Sequence, residues 1–396
     1  MNPGSSLLRS RDGHARVTFV ELFFDLVFVF AVTQLSHTLL EHLNFGGALQ
    51  TGFLLLAVWW VWVYTCWFTN WVNPDHPAIR GLMFAMMLAG LLMSAAIPQA
   101  FGREGLLFAI AYAFIQVVRT ACTVLALRGR DDTNYRNFLR ILAWLSMSAV
   151  FWIAGGLLDG ADRVIVWVIA LSLEIVGPIF GYWVPVLGRS STTDWKIDGA
   201  HMAERFALFV IIALGESILV TGATAASVPA TLPVICGFVV AFLGSVAMWW
   251  IYFNIGAERG SRQISGSRDP GRLGRSVYTY FHIPIVAGIV VCAVADEITL
   301  THPDGHVHVA EASALLGGPM LYLAGNLLFK RASANNYPLS HLVGLGLSAA
   351  LIPFALRLTP LVLGAATTAI LILVAVWETR SFAQGPRKHG AQPQPH

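Results

Sequence analysis

The sequence predicts an all-α polytopic membrane protein, with about twelve transmembrane helices arranged as two parallel six-helix repeats. Three observations predict this. Apolar residues make up 56% of the chain and charged residues 12%, about half the charged share of a soluble domain. Apolar runs of about 20 residues, enough to cross a hydrocarbon core of about 30 Å, recur from end to end. The basic residues alternate between rich and poor intervening segments in step with those runs.

The runs place spans at 19–40, 47–68, 79–100, 105–127, 138–158, 162–183, 202–225, 231–253, 275–298, 310–330, 340–356 and 360–378. With a cytoplasmic N-terminus, the inside segments hold Arg9, Arg11 and Arg16, then Arg80, Arg128 to Arg140, Arg189 to Arg205, Arg259 to Arg275, Lys330 and Arg331, and Arg380 to Lys388. The outside segments hold only Arg103, Arg163 and Arg357. One missed span would invert every later loop, so this bias supports the count and puts both ends of an inner-membrane protein in the cytoplasm. The domain reading follows: 1–18 a cytoplasmic N-terminal segment, 19–183 the first repeat, 184–201 a cytoplasmic linker, 202–378 the second repeat and 379–396 a disordered cytoplasmic tail.

The repeat rests on matches in one order. Ala57-Val-Trp-Trp-Val-Trp resembles Ala247-Met-Trp-Trp-Ile-Tyr, and Ala89-Gly-Leu-Leu-Met-Ser-Ala resembles Ala287-Gly-Ile-Val-Val-Cys-Ala. Tyr112 to Arg119 resembles Tyr322 to Lys330, and Asn134, Tyr135 and Ser146 match Asn336, Tyr337 and Ser348 at the same spacing. The tryptophans at 59, 60, 62, 67, 71, 249 and 250 read chiefly as an aromatic belt.

The chemistry-bearing residues lie inside the spans. Glu21 and Asp25 are four apart and share a face of the first span, with His37 further along. His201 and Glu204 share a face near the start of the seventh, and Glu216 lies near its middle. The sixth carries Glu174, the fourth Arg119 and the ninth His282. Arg119 reads as the one deeply placed base, with Arg205 nearer the surface. A charge at the bilayer centre costs about 3 kcal/mol, and so many acids exceed the bases available. Such carboxyls serve proton and cation paths. They also have structural readings, as caps of helix N-termini or as polar ties between helices. Outside, His302, His306 and His308 sit in an acidic loop, Asp296 to Glu311, which reads as solvated; no metal or cofactor is expected. The four cysteines stand alone and read as core residues. Loop 259–275 is expected to touch anionic lipid, and no nucleic-acid or nucleotide motif accompanies it.

Glu21-Leu-Phe-Phe-Asp-Leu-Val-Phe, Gln34-Leu-Ser-His37, Glu204-Arg-Phe and Gly215-Glu-Ser-Ile-Leu219 resemble the bacterial low-temperature-requirement A family. That resemblance covers most of the chain and implies a multi-pass bacterial membrane protein linked by name to growth in the cold. It brings no catalytic residue with it. A second likeness is to the two-repeat lysosomal and bacterial potassium channels. Phe23-Phe-Asp25-Leu-Val-Phe28 resembles their Phe-Ser-Asp motif, with Phe24 in place of the serine, while the second half has Phe206-Ala-Leu208 without an aspartate. The leading expectation is a transporter or channel-like protein that handles a small ion or other small substrate. The alternatives are an intramembrane enzyme or lipid-modifying factor using His201, Glu204 and Glu216, and a structural protein of membrane adaptation.

Reporter fusions after Asp131 are expected to report cytoplasmic and fusions after His302 extracytoplasmic. A cytoplasmic signal at His302 would overturn the orientation and the span count together.

Overall fold

In lipid every backbone amide must pair within the protein, which favours helices that satisfy their own hydrogen bonds. The computed structural model describes residues 6–9, 16–191, 197–254, 274–334 and 337–383. Among these it contains twelve α-helices: α1 (Phe19–Glu41), α2 (Phe45–Trp71), α3 (Pro77–Ala96), α4 (Gly105–Leu127), α5 (Asp132–Gly156), α6 (Gly160–Val176), α7 (Gly199–Ser227), α8 (Leu232–Phe253), α9 (His282–Thr301), α10 (Val309–Ala334), α11 (Leu339–Leu351) and α12 (Pro360–Ala383). Eleven of them, three with their adjoining helical turns, are long and apolar enough to cross a membrane. The exception is α6, with 17 residues. Stretch 255–273, which holds most of the Arg-rich loop expected to touch lipid, lies outside the described residues, as do Lys196 and the tail from 384.

Two boundaries differ from the sequence reading in ways that matter. The sixth helix ends at Val176 rather than 183, because Pro178 has no N–H to continue it; the chain then turns, with positive φ at Gly181, Tyr182, Val186 and Gly188. The ninth helix starts at His282 after a wide turn at Gly274–Tyr280 and runs on to Thr301. Asp296 and Glu297 therefore lie in the helix, as the 275–298 span has them, and the acidic stretch read from Asp296 leaves the helix only at His302.

Each half packs in a similar pattern. The first helix lies against the second and third, the third against the fourth, the fourth against the second and fifth, and the fifth against the sixth, counted as α1–α6 and as α7–α12. The halves meet where α1 and α2 face α7 and α9. They differ in the place of the last helix, since α12 packs along α8.

With no hydrophobic drive between helices in lipid, close approach through small residues holds them together. Helices α9 and α10 show this. A Cβ on Gly288 would sit 2.5 Å from the Tyr322 nitrogen, one on Gly318 2.9 Å from the Cys292 nitrogen and one on Gly325 2.7 Å from the Ile285 nitrogen. The obstructing atoms are backbone, so they cannot move aside.

The aromatic-belt reading fails for α2. Trp59, Trp60, Trp62 and Trp71 are buried. Trp59 and Trp62 pack against Phe206 and Phe209 of α7. Trp249 and Trp250 of α8 are exposed. The tryptophan-bearing part of α2 is covered by neighbouring helices, so most of its tryptophans become core.

Gly288→Val is expected to separate α9 from α10 and lower the thermal midpoint of the purified protein. Gly317→Ala, whose new Cβ meets nothing within 4 Å, should leave the midpoint nearly unchanged. Equal midpoints for the two variants would show that the close approach is not needed.

Candidate functional site

Two helices with acids and bases at matching four-residue spacing build the site. Glu21 and Asp25 lie on one face of α1, His201 and Arg205 on one face of α7, and all four are fully buried. Glu21 Oε1 accepts from His201 Nε2 at 2.9 Å and is 3.2 Å from Arg205 Nη1. Arg205 Nη2 donates to Asp25 Oδ1 at 2.6 Å. Trp62 Nε1 donates to the same oxygen at 2.9 Å, and its ring lies 5.9 Å from the guanidinium carbon. From the cytoplasmic end of the sequence reading, Arg9 Nη2 reaches Glu21 Oε2 at 3.3 Å. The same oxygen accepts from the Thr18 N–H at 2.8 Å and the Thr18 hydroxyl at 2.9 Å. Glu21 therefore performs the capping role expected of an acid at a helix start and joins the ionic cluster as well.

The proton on His201 can be placed. The Asn70 amide is held by Asp198, accepting from its N–H at 3.0 Å and donating to its carbonyl at 3.1 Å. It presents an N–H to His201 Nδ1 at 3.2 Å. Nδ1 must then accept and Nε2 must donate to Glu21, so the imidazole is neutral. Charge in the cluster balances, with Glu21 and Asp25 against Arg9 and Arg205. Both oxygens of Glu21 are engaged and so is Asp25 Oδ1. Asp25 Oδ2 is buried and has no hydrogen-bond partner among the described residues, and the same holds for Arg205 Nε. An open buried carboxylate oxygen is costly unless something visits it.

Above the cluster, Trp59, Trp62, Phe206 and Phe209 close the space between α2 and α7, with ring centroids 4.3 to 5.6 Å apart. Beyond this plug lies Glu216, about 16 Å along α7 from Arg205. Its Oε2 accepts from the Thr33 hydroxyl at 2.6 Å, and its buried Oε1 has no partner among the described residues. His37 is exposed. Glu204 is exposed too and accepts from the Val17 N–H at 3.4 Å.

The remaining sequence-predicted residues lie apart. Glu174 is fully satisfied by Tyr112, Gln116, Ser148 and Trp152 at 2.6 to 3.1 Å. Arg119 donates to Gln116, to the Val61 carbonyl at 3.2 Å and to Thr65 at 3.1 Å. It reaches Glu174 only across Gln116 and touches neither Asp25 nor Glu216. His282 donates from Nδ1 to the Val277 carbonyl at 3.0 Å and accepts from the Tyr252 hydroxyl at 2.8 Å, stacked on Tyr278. His302, His306 and His308 are exposed in the turn before α10. Among the described residues no three His, Cys, Asp or Glu side chains group as a metal site.

Sequence reading did not count Arg205 among the site residues, noting it only as a base nearer the membrane surface than Arg119; the structure buries it fully against α1. The available signal was the repeat of one spacing with opposite charge, 21 and 25 against 201 and 205. Arg9, Asn70 and Trp62 carried no comparable signal.

The chain matches the model of the bacterial low temperature requirement A protein over residues 16–376. The chain belongs to this family. Its relatives include an uncharacterized protein of Rhizobium meliloti (strain 1021), 41% identical over 378 residues that span 94% of this chain and 91% of the relative. No solved structure matches the chain. In this low-temperature-requirement A protein the matched region includes α1 to α11 and most of α12, and hence Glu21, Asp25, His201 and Arg205.

Removing one partner of a buried ionic group leaves its charge uncompensated, at a cost of about 3–5 kcal/mol. Arg205→Met is expected to lose stability on that scale in denaturant titrations of the purified protein. Adding Asp25→Asn should recover part of the loss, since the two residues are in contact. Strictly additive losses would show that the guanidinium does not act on Asp25.

Proposed function

We propose that this low-temperature-requirement A protein is a transporter or channel-like protein of the bacterial inner membrane, passing protons or cations by way of the α1–α7 carboxylates. The observation that carries the reading is the open Asp25 Oδ2. It is buried in a charge-balanced cluster whose other carboxylate oxygens are all engaged. A visiting proton or cation would occupy that oxygen and upset the balance, loosening Arg205 from Asp25. Glu216, with its own open oxygen, is the next carboxyl along α7 beyond the aromatic plug. On this reading the aromatic plug stands between the two carboxyls and has to part for an ion to pass.

The duplication read from the sequence supports the placement, because sites in proteins built that way gather where the repeats meet. Arg119 donates to the Val61 carbonyl and Lys330 to the Ile251 carbonyl at 2.8 Å. These bases and carbonyls are the positions that the sequence matches pair. In each half an acid of the sixth helix is the partner, Glu174 by way of Gln116 and Glu378 directly at 2.6 Å. The enzyme reading is not supported, because Glu204 points outward and Glu216 lies about 22 Å along α7 from His201. The orientation with both ends cytoplasmic rests on the distribution of arginine and lysine.

Reconstituted into vesicles with an internal pH or cation indicator, the parent protein is expected to dissipate an imposed gradient. Asp25→Asn should reduce the flux to background, while Glu204→Gln should keep it. An Asp25→Asn protein that inserts normally and carries parental flux would end this mechanism.

A further inference from the structure

Asp296 opens the acidic stretch read as a solvated loop, yet it lies in α9, five residues before the helix ends. Its side chain enters a cavity of about 30 Å³ between α8, α9, α10 and α12. No lysine, arginine or histidine lines that cavity among the described residues. Asp296 Oδ2 accepts from the Ser217 hydroxyl at 3.0 Å, and Ser217 lies 3.3 Å from Ser245. Since the Ser217 proton goes to the carboxylate, Ser245 must donate to Ser217. Two further hydroxyls on the wall have also committed their protons, Thr299 to the Ala295 carbonyl at 2.8 Å and Thr367 to the Gly364 carbonyl at 3.0 Å. They turn only lone pairs to the cavity. Pro319, inside α10, also lines it and has no N–H for the Leu315 carbonyl one turn back. The wall is thus rich in oxygen acceptors around one acid, with no base to balance it.

We infer that this cavity binds a hard monovalent cation of the sodium class, with Asp296 as its charged ligand. Oxygen donors suit hard cations. One carboxylate balances one positive charge, whereas calcium sites take six to eight oxygens, and magnesium keeps waters that this volume would not hold. A single thiol, Cys292, does not make a soft-metal set. This site does not depend on conduction through Asp25, since equilibrium binding is measured without flux.

The test uses the full chain in detergent, with the thermal midpoint followed in sodium chloride against choline chloride at constant ionic strength. Sodium is expected to raise the midpoint saturably, by about 2 °C or more. Asp296→Asn should abolish the difference. Ser217→Ala, a milder change should Asp296→Asn fail to fold, should raise the half-saturating sodium concentration about threefold or more. A parent protein with equal midpoints in the two salts would mean that Asp296 is held protonated, and the inference fails. A sodium shift that persists unchanged in Asp296→Asn, or in Ser217→Ala where Asp296→Asn does not fold, would place the ion elsewhere and overturn it equally.

Discussion

The structure depends on the need to balance two carboxylates taken out of water between α1 and α7. Ionic groups in lipid surroundings must find partners inside the protein, and Glu21 and Asp25 find theirs on another helix almost two hundred residues away. Arg205 contacts both acids, and His201 and Arg9 complete Glu21. The halves also meet through apolar contacts, but those are not directional. The cluster is, and it fixes which turn of α1 faces which turn of α7. The aromatic packing of α2 follows from that register, since Trp62 must reach Asp25 while packing edge-on against Phe206 and tilted against Phe209.

The cluster and the Asp296 cavity solve the same physical problem differently. At α1–α7 the acids are matched by guanidinium groups. At Asp296 the carboxylate has the Ser217 hydroxyl as a donor and faces a cavity with no base on its wall among the described residues. Glu174 illustrates a third solution, with four neutral donors and no direct base. All three sit in apolar helices, and the number of open oxygens left over separates a structural carboxyl from one with spare binding capacity.

Much of the fold was legible because lipid simplifies the code. Length and hydropathy define a span, and α1, α4 and α8 begin and end within a residue or so of the runs that signalled them. Breaks that depend on local chemistry were less visible, as at Pro178. Of the site, Glu21, Asp25, His201 and Glu216 were found because a buried acid or histidine is conspicuous in an apolar run. Arg205 was passed over because only its depth along the helix was read, whereas burial depends on which neighbour covers that turn. The α2 tryptophans were misread for the same reason, since composition marks a span but not its position in the bundle. Asp296 was read both as the end of the ninth span and as the start of an acidic loop, because polar residues follow it, and the helix runs on past it to Thr301.

One further consequence follows from Arg9. Residues 6–9 are fastened to the end of α2 by a short antiparallel bridge, Leu8 with Val72, and by backbone hydrogen bonds from Arg9 to Trp71 and from Asn73 to Leu7. One of the two cations that balance the buried acids is therefore carried on a strip of chain at the rim of the bundle rather than on a helix. Arg9 contacts Glu21 only while that strip is seated, so seating of the strip and the charge on Glu21 are thermodynamically linked and each alters the other by the same factor. The ionic centre is thus completed by a tether whose seating at the rim sets a positive charge beside Glu21.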